Sequence, residues 1–301
     1  MLAIIIPYYK LTFFEETLQS LANQTDQRFN VYIGDDASPE DPVALLEKYK
    51  GQFDFEYHKF EKNLGGASLV KQWERCIALT QKEDWIMILG DDDYLDKTVV
   101  ANWYENYGLF NKKSNVVRFA SKILYEESQS VSEVYTHPIW ELATDSFYRK
   151  YENLTRSSLS EYVFSRASYI KYGFQDYPLA WHSDDWAWLE FSDNKPIFSI
   201  NESLVYVRIS KGSISGKEDN LNKKDIETIE FYKFIVLNKL KFYNKQQRKK
   251  LIDKYENAIK RIRRIYLLEW FLIFFSYLKY FDSYSLKKVF KRFIKSILKY
   301  E

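Results

Sequence analysis

The chain has 301 residues, 46% hydrophobic and 29% charged, with nine glycines and six prolines. This is the composition of a folded globular protein of about two domains, and it excludes disordered, collagen-like and disulfide-scaffold classes. A single cysteine, Cys76, allows neither an internal disulfide nor a cysteine-based metal cluster, so a reducing cytoplasm is the expected compartment. The formal charge of +2 hides an asymmetry. Residues 1–216 hold 22 Lys/Arg and 32 Asp/Glu, a balance of −10, whereas residues 217–301 hold 22 and 10, a balance of +12. The polar stretch SKGSISGKEDN lies at this change and sets the expected boundary between an acidic domain over 1–216 and a basic extension over 217–301.

Residues 2–7 are a continuous apolar run ended by proline, the pattern of a parallel strand buried on both faces. With no basic flank before it, MLAIIIPYYK reads as a strand rather than a leader or an anchor. Residues 13–23 place Leu18, Leu21 and Ala22 at helical spacing, and residues 30–34 supply a second strand that closes a βαβ unit. A helix over 42–49, a strand over 53–58, a helix over 67–80 entered through Asn63-Leu64-Gly65-Gly66, and a strand over 85–89 follow. The alternation predicts an α/β fold with a mostly parallel central sheet flanked by helices, and ligands beyond the carboxyl ends of the strands. Two acidic clusters sit at such ends: Asp35-Asp36, and Asp91-Asp92-Asp93 after Gly90.

Three adjacent carboxylates repel one another, and a cation removes that cost. Oxygen ligands suit Mg²⁺ or Mn²⁺, and Mg²⁺ is usually held by one or two carboxylates together with substrate phosphates. The acidic turn therefore points to a metal-bridged diphosphate. The competing reading, a solvated acidic turn, is weakened by the strand WIMIL directly before it and by the acidic pair at another strand end.

Five segments in order, AIIIPYYK, LQSLANQT, VYIGDDASPED, NLGGA and WIMILGDDDYLD, resemble the motifs of the inverting family 2 glycosyltransferases over about the first 100 residues. That resemblance implies a GT-A nucleotide-diphospho-sugar transferase fold over residues 1–216, with the helical extension outside it. Carried over by position, it implies that Asp36 binds the uracil imide, with Pro7 and Tyr9 lining the base pocket. It also implies that Asp91 approaches the ribose, and that Asp92 binds the metal with Asp93 sharing that duty. Gly90 stands where the family has the first aspartate of its motif, which puts the separate roles of Asp91 and Asp93 in question.

An inverting transfer needs a carboxylate that takes the acceptor hydroxyl's proton. In WHSDDWAW, Asp184-Asp185 resembles the family's acidic pair, whose second member is the base; this implies Asp185, with Asp184 as the alternative. An acidic helix N-terminus stabilised by the helix dipole is the plainer reading. Trp181, Trp186 and Trp188 read either as a wall for a sugar ring or as core. LVYVRISKGSIS resembles the family's segment after the base: Arg208 fits an arginine that neutralises phosphate, Ser210 replaces a histidine, and Lys211 either covers the diphosphate or is a solvated loop lysine. The three histidines, His58, His137 and His182, lack metal-site spacing, and His182 is the one beside the expected base.

In the extension, residues 287–300 place Val289, Phe290, Phe293, Ile294, Ile297 and Leu298 on one helical face and Lys287, Lys288, Lys291, Arg292, Lys295 and Lys299 around the other. Such a helix suits an anionic membrane surface, and packing on the catalytic domain or a dimer contact are the alternatives. Residues 266–281 are too short and too interrupted by Glu269 and Lys279 to span a bilayer. No nucleic-acid motif accompanies the basic charge.

The combined expectation is a metal-dependent inverting glycosyltransferase. It would use a nucleoside-diphosphate sugar, a UDP-sugar foremost, on a glycan or lipid-linked acceptor in cell-surface polysaccharide synthesis. It would work in the cytoplasm, peripheral on the inner face of the membrane. The alternatives are a membrane-bound nucleotide-binding scaffold with a degenerate transferase domain, kept open by Gly90 and Ser210, and a nucleotidyltransferase, which lacks the support of a Gly-rich phosphate loop with a basic signature near the first strand.

Overall fold

The computed structural model describes residues 1–210, 221–261 and 267–298. Lys211 and the polar boundary segment up to residue 220 lie outside the described residues. The chain divides into two compact units, Met1–Lys217 and Glu218–Glu301.

The first unit opens with β1 (Leu2–Tyr8), α1 (Phe14–Ala22), β2 (Phe29–Asp35), α2 (Val43–Tyr49), β3 (Phe55–Lys59), α3 (Leu69–Ile77), β4 (Trp85–Ile88), β5 (Tyr94–Leu95), α4 (Val99–Phe110) and β6 (Val116–Tyr125). It continues through β7 (Ser130–Val131), β8 (Trp140–Glu141), α5 (Ala143–Tyr151), β9 (Tyr162–Ser165), α6 (Arg166–Tyr172), α7 (Ser183–Phe191) and β10 (Ile197–Ile209). One sheet runs in the order β3-β2-β1-β4-β9-β6-β10-β5, with β7 on β6 and β8 on β10.

The half of the sheet built from β1 to β4 is wholly parallel. Leu2 to Ile6 are fully buried, as the unbroken apolar run of β1 requires. Beyond β4 the sheet becomes mixed: β9 lies antiparallel between β4 and β6, β10 pairs parallel with β6, and β5 pairs antiparallel with β10. A four-residue buried strand shows its burial in the sequence but not its direction, so the antiparallel insertion of β9 was illegible there. The core of this face is aromatic: Trp85 meets Trp103 and Phe110 edge-on, and Phe110 packs on Phe198. Gly34 of β2 is required by α3, because a Cβ there would strike the Cys76 sulfur.

The second unit comprises α8 (Leu221–Phe234), α9 (Lys245–Arg261), α10 (Leu267–Tyr280) and α11 (Ser283–Leu298). Trp270 of α10 is buried against Phe293 of α11. Glu256 of α9 accepts from Arg292 at 2.9 Å and also pairs with Lys260, which pins α11 to α9. The expected single apolar face of α11 is divided: Val289 is fully buried while Phe290 and Ile294 are exposed, and the side chains of Ile297 and Leu298 lie outside those described. Among the described residues no helix is long and apolar enough to cross a membrane.

Candidate active site

The carboxyl ends of β1, β2 and β4 gather the first group of residues. Pro7, half-buried, lies at the end of β1, and Tyr9, 40% exposed, follows directly after it. The backbone amides of Tyr9 and Lys10 donate to one carboxylate oxygen of Asp91 at 2.7 and 2.9 Å, which ties the β1 exit to the acidic turn after β4. Asp35 is structural, accepting from the Ser38 amide at 2.7 Å and from the Tyr57 hydroxyl at 2.6 Å.

Asp36 is nearly buried and accepts the amides of Leu64 and Gly65 at 2.6 and 2.8 Å. The guanidinium of Arg75, stacked on the Phe60 ring, pairs with it. A Cβ on Gly65 would come within 2.6 Å of the Asp36 carboxylate, so only glycine lets the loop close on it. Sequence reading found Asp36 and the glycines. It missed Arg75, because an arginine facing inward from α3 has no local signature.

In the acidic turn, Asp93 is buried and accepts from the Ser160 hydroxyl at 2.5 Å and from the Arg208 amide at 2.8 Å. Burial first, and then the charge of Asp92, push Asp91 up to about 7 and Asp93 up to about 8; Asp92 is also raised, chiefly by burial. Three carboxyls that resist ionising together form a site where added positive charge is favourable. Arg208 does not present its fork to open space. Its Nη1 and Nη2 donate to Glu126 and Glu16 at 2.7 and 2.6 Å, and its Nε donates to the Asp92 carbonyl at 3.1 Å. The arginine that sequence reading linked to phosphate thus shapes the turn in this state.

Among the described residues no set of three or more His, Cys, Asp or Glu side chains is arranged to hold a metal by itself. The donor chemistry nonetheless fits a hard cation that arrives with a diphosphate. Asp91 and Asp93 are engaged by the chain's own donors, while Asp92 is half-buried on the turn between them, and one or two carboxylates with phosphates complete a Mg²⁺ shell.

The second group sits at the start of α7. His182, in the left-handed conformation with φ 68°, leads into the helix, and its Nδ1 lies 2.8 Å from one oxygen of Asp185. The other oxygen accepts from Lys150 of α5 at 2.6 Å. Although burial opposes ionisation, Lys150 and His182 hold the Asp185 carboxyl well below the usual carboxylate range. Asp184 beside it is pushed up to about 7 by burial and by the charge of Asp185. Trp188 is core, stacked on Tyr162 at 4.1 Å, whereas Trp181 and Trp186 are half-buried.

The segment before β9 joins the two groups. Ser160 holds Asp93, and Tyr162, two residues on, stacks on Trp188 one turn after Asp185. His137 is buried, and His58 packs edge-on against Phe60.

A sheet with its first half parallel, acidic residues at its carboxyl edge and a second acidic pair on a later helix has the plan of a GT-A nucleotide-sugar transferase. The model of the glycosyl transferase family 2 matches residues 3–158, over half of the chain, and the chain belongs to that family. Over 104 residues it is 30% identical to the poly(ribitol-phosphate) beta-N-acetylglucosaminyltransferase TarS of Staphylococcus aureus strains Mu50 / ATCC 700699 and MW2. That match takes in 33% of this chain and 18% of TarS, so it spans less than a fifth of these relatives' length. S. aureus TarS 1-349 in complex with UDP-GlcNAc superposes with a TM-score of 0.66 at 17% identity, covering 85% of this chain and 72% of that one. The same TarS portion in complex with UDP gives 0.56 at 15%, covering 97% and 91%. At such identities the structural likeness establishes the fold.

Proposed function

We propose that the protein is an inverting, metal-dependent transferase that takes a sugar from a UDP-sugar to a glycan or lipid-linked acceptor in cell-surface polysaccharide synthesis. The observation that carries this reading is the acidic turn at the sheet's carboxyl edge, which the Tyr9 and Lys10 amides tie to the β1 exit through Asp91 and whose three carboxyls burial raises together. The UDP-GlcNAc and UDP complexes of the fold neighbours favour uridine as the nucleoside. The exposed Tyr9 ring and Pro7 offer the base an apolar face, and Asp36 with Arg75 offers its polar edge charged partners. Asp91 would approach the ribose. Asp92, backed by Asp93, would hold Mg²⁺ or Mn²⁺, which when bound neutralises the charge of the departing diphosphate.

Asp185 takes the acceptor hydroxyl's proton as that oxygen bonds to the anomeric carbon and the bond from that carbon to the diphosphate breaks. A carboxylate has about four lone-pair sites. Lys150 and His182 occupy two, orient the group and keep it ionised, which leaves sites for the acceptor. Asp184 is the alternative base, distinguished by its higher titration. Arg208 positions the turn, and a phosphate contact requires it to release Glu126 or Glu16. The basic extension would keep the enzyme on the cytoplasmic face of an anionic membrane.

The test is thermal stabilisation of the purified protein by nucleoside diphosphates with and without Mn²⁺, followed by product analysis of the anomeric configuration. Stabilisation by UDP that requires Mn²⁺ supports the reading. Absence of a shift with any nucleotide would favour the degenerate scaffold.

A further inference from the structure

Helix α10 is apolar on two sides, and among the described residues its neighbours account for only one. Trp270, Ile273 and Tyr277 point inward and are at most 2% exposed. Leu268, Phe271, Phe275 and Leu278, spaced three or four residues apart and therefore on one stripe, are 76, 67, 73 and 63% exposed. A helix at the surface of a water-soluble domain ordinarily turns polar residues outward. Contiguous exposed patches of large apolar side chains mark interaction surfaces.

The stripe extends onto α11. Phe274 of α10 touches Phe290, which is itself exposed, and Ile294 follows one turn later. Next to these on the outward side of α11 stand Lys287, Lys291 and Lys295, all exposed, while Arg292 on the opposite side is held by Glu256. The helix pair thus shows water an apolar stripe edged by lysines.

We propose that this surface, centred on Phe271, Phe275 and Phe290 and bordered by Lys287, Lys291 and Lys295, docks the chain onto an anionic lipid bilayer. The charge decides between occupants. Residues 217–301 carry a balance of +12, so two such faces packed on each other would bring like charge to like charge, and the lysines edge the stripe on the same face; an anionic bilayer takes both the apolar stripe and the lysines at once. Lysine stems can lie along the apolar surface with their ammonium groups in the headgroup layer. The 14 residues of α10 reach about 21 Å, less than the hydrocarbon core of about 30 Å, so the helix lies in the interface rather than across it. The inference rests on the peripheral placement proposed above but not on the transferase chemistry.

Flotation of the full chain, without nucleotide, on vesicles of phosphatidylcholine with and without phosphatidylglycerol tests it. Binding is expected only to the phosphatidylglycerol vesicles and should weaken as salt is raised. Replacing Phe271 and Phe275 by Ser, or Lys287, Lys291 and Lys295 by Glu, should each lower partitioning tenfold or more. Circular dichroism and the UDP thermal shift, measured on the same samples, should be unchanged, because none of these residues is in the transferase site. No binding, equal binding to both vesicle types, or binding indifferent to both sets of substitutions overturns the proposal. So does a lipid-free dimer that the phenylalanine substitutions convert to monomer, since the face would then belong to a second copy. A UDP shift that survives while vesicle binding fails leaves the transferase reading standing alone.

Discussion

Lys150 donates to Asp185 across 2.6 Å from a helix 35 residues earlier in the chain. The ammonium faces the proposed base, on the other side of which His182 makes a second contact. Two polar groups on one buried carboxylate fix its direction as well as its charge, and a misdirected base loses proton transfer without losing substrate binding.

Lys150→Met should therefore lower kcat far more than it raises KM, with Lys150→Arg recovering part of the loss. Removing one partner of a fully buried ion pair costs roughly 3–5 kcal/mol. The Lys150 side chain keeps 28% of its exposure, so a stability loss of about 1–3 kcal/mol is expected, read by urea unfolding. Unaltered turnover in Lys150→Met would show that Asp185 needs no such positioning.

The two aspartates separate by pH. Asp185→Asn should cut kcat/KM by about 10²–10⁴-fold at every pH, and the wild-type profile should be flat near neutrality because Lys150 and His182 keep Asp185 ionised there. An ascending limb centred near the Asp184 value of about 7, absent in Asp184→Asn, would instead transfer the role of base to Asp184.

The same pair has opposite effects on stability. Asp184 binds its proton more tightly folded than unfolded, so its contribution is present at low pH and lost as pH rises through about 7. Asp185, held below its unfolded value, contributes above the ordinary carboxylate range and loses that contribution as pH falls through it. Asp184→Asn should consequently raise Tm at about pH 8 relative to wild type, raise it less at about pH 5, and change it least below about pH 4, where the unfolded group is protonated too. Equal shifts at all three would mean that Asp184 titrates normally.

Asp92→Ala should leave the fold intact and abolish the added stabilisation that Mn²⁺ gives in the presence of UDP. Chelation with EDTA should reproduce this in the wild type. An unchanged Mn²⁺ increment in the variant would remove Asp92 from the metal site.

Gly65→Ala should weaken both the fold and UDP binding. The new methyl displaces the Asp36 carboxylate from the Leu64 and Gly65 amides, a loss of about 1–3 kcal/mol. Calorimetric binding of UDP to the folded fraction separates the two effects. Full affinity in the variant would place the nucleotide away from Asp36.

The local order of elements was determined by sequence alone, because hydropathy periodicity and turn residues act over a few positions: the buried run of β1, the helix after it, the acidic ends of β2 and β4, and the acidic pair opening α7. The resemblance over the same segments implied the family. Tertiary structure decided the partners. Arg75 meets Asp36 from 39 residues away, Ser160 meets Asp93 from 67, and Lys150 meets Asp185 from 35. Such pairings depend on sheet order and helix placement, which periodicity does not encode: it indicates that β9 is buried, not that it runs antiparallel between β4 and β6. The same holds for the extension. Its charge was legible residue by residue, but only packing shows that Trp270 and Val289 turn inward and leave Phe271, Phe275 and Phe290 to solvent, since burial is a property of what surrounds a side chain rather than of the side chain itself.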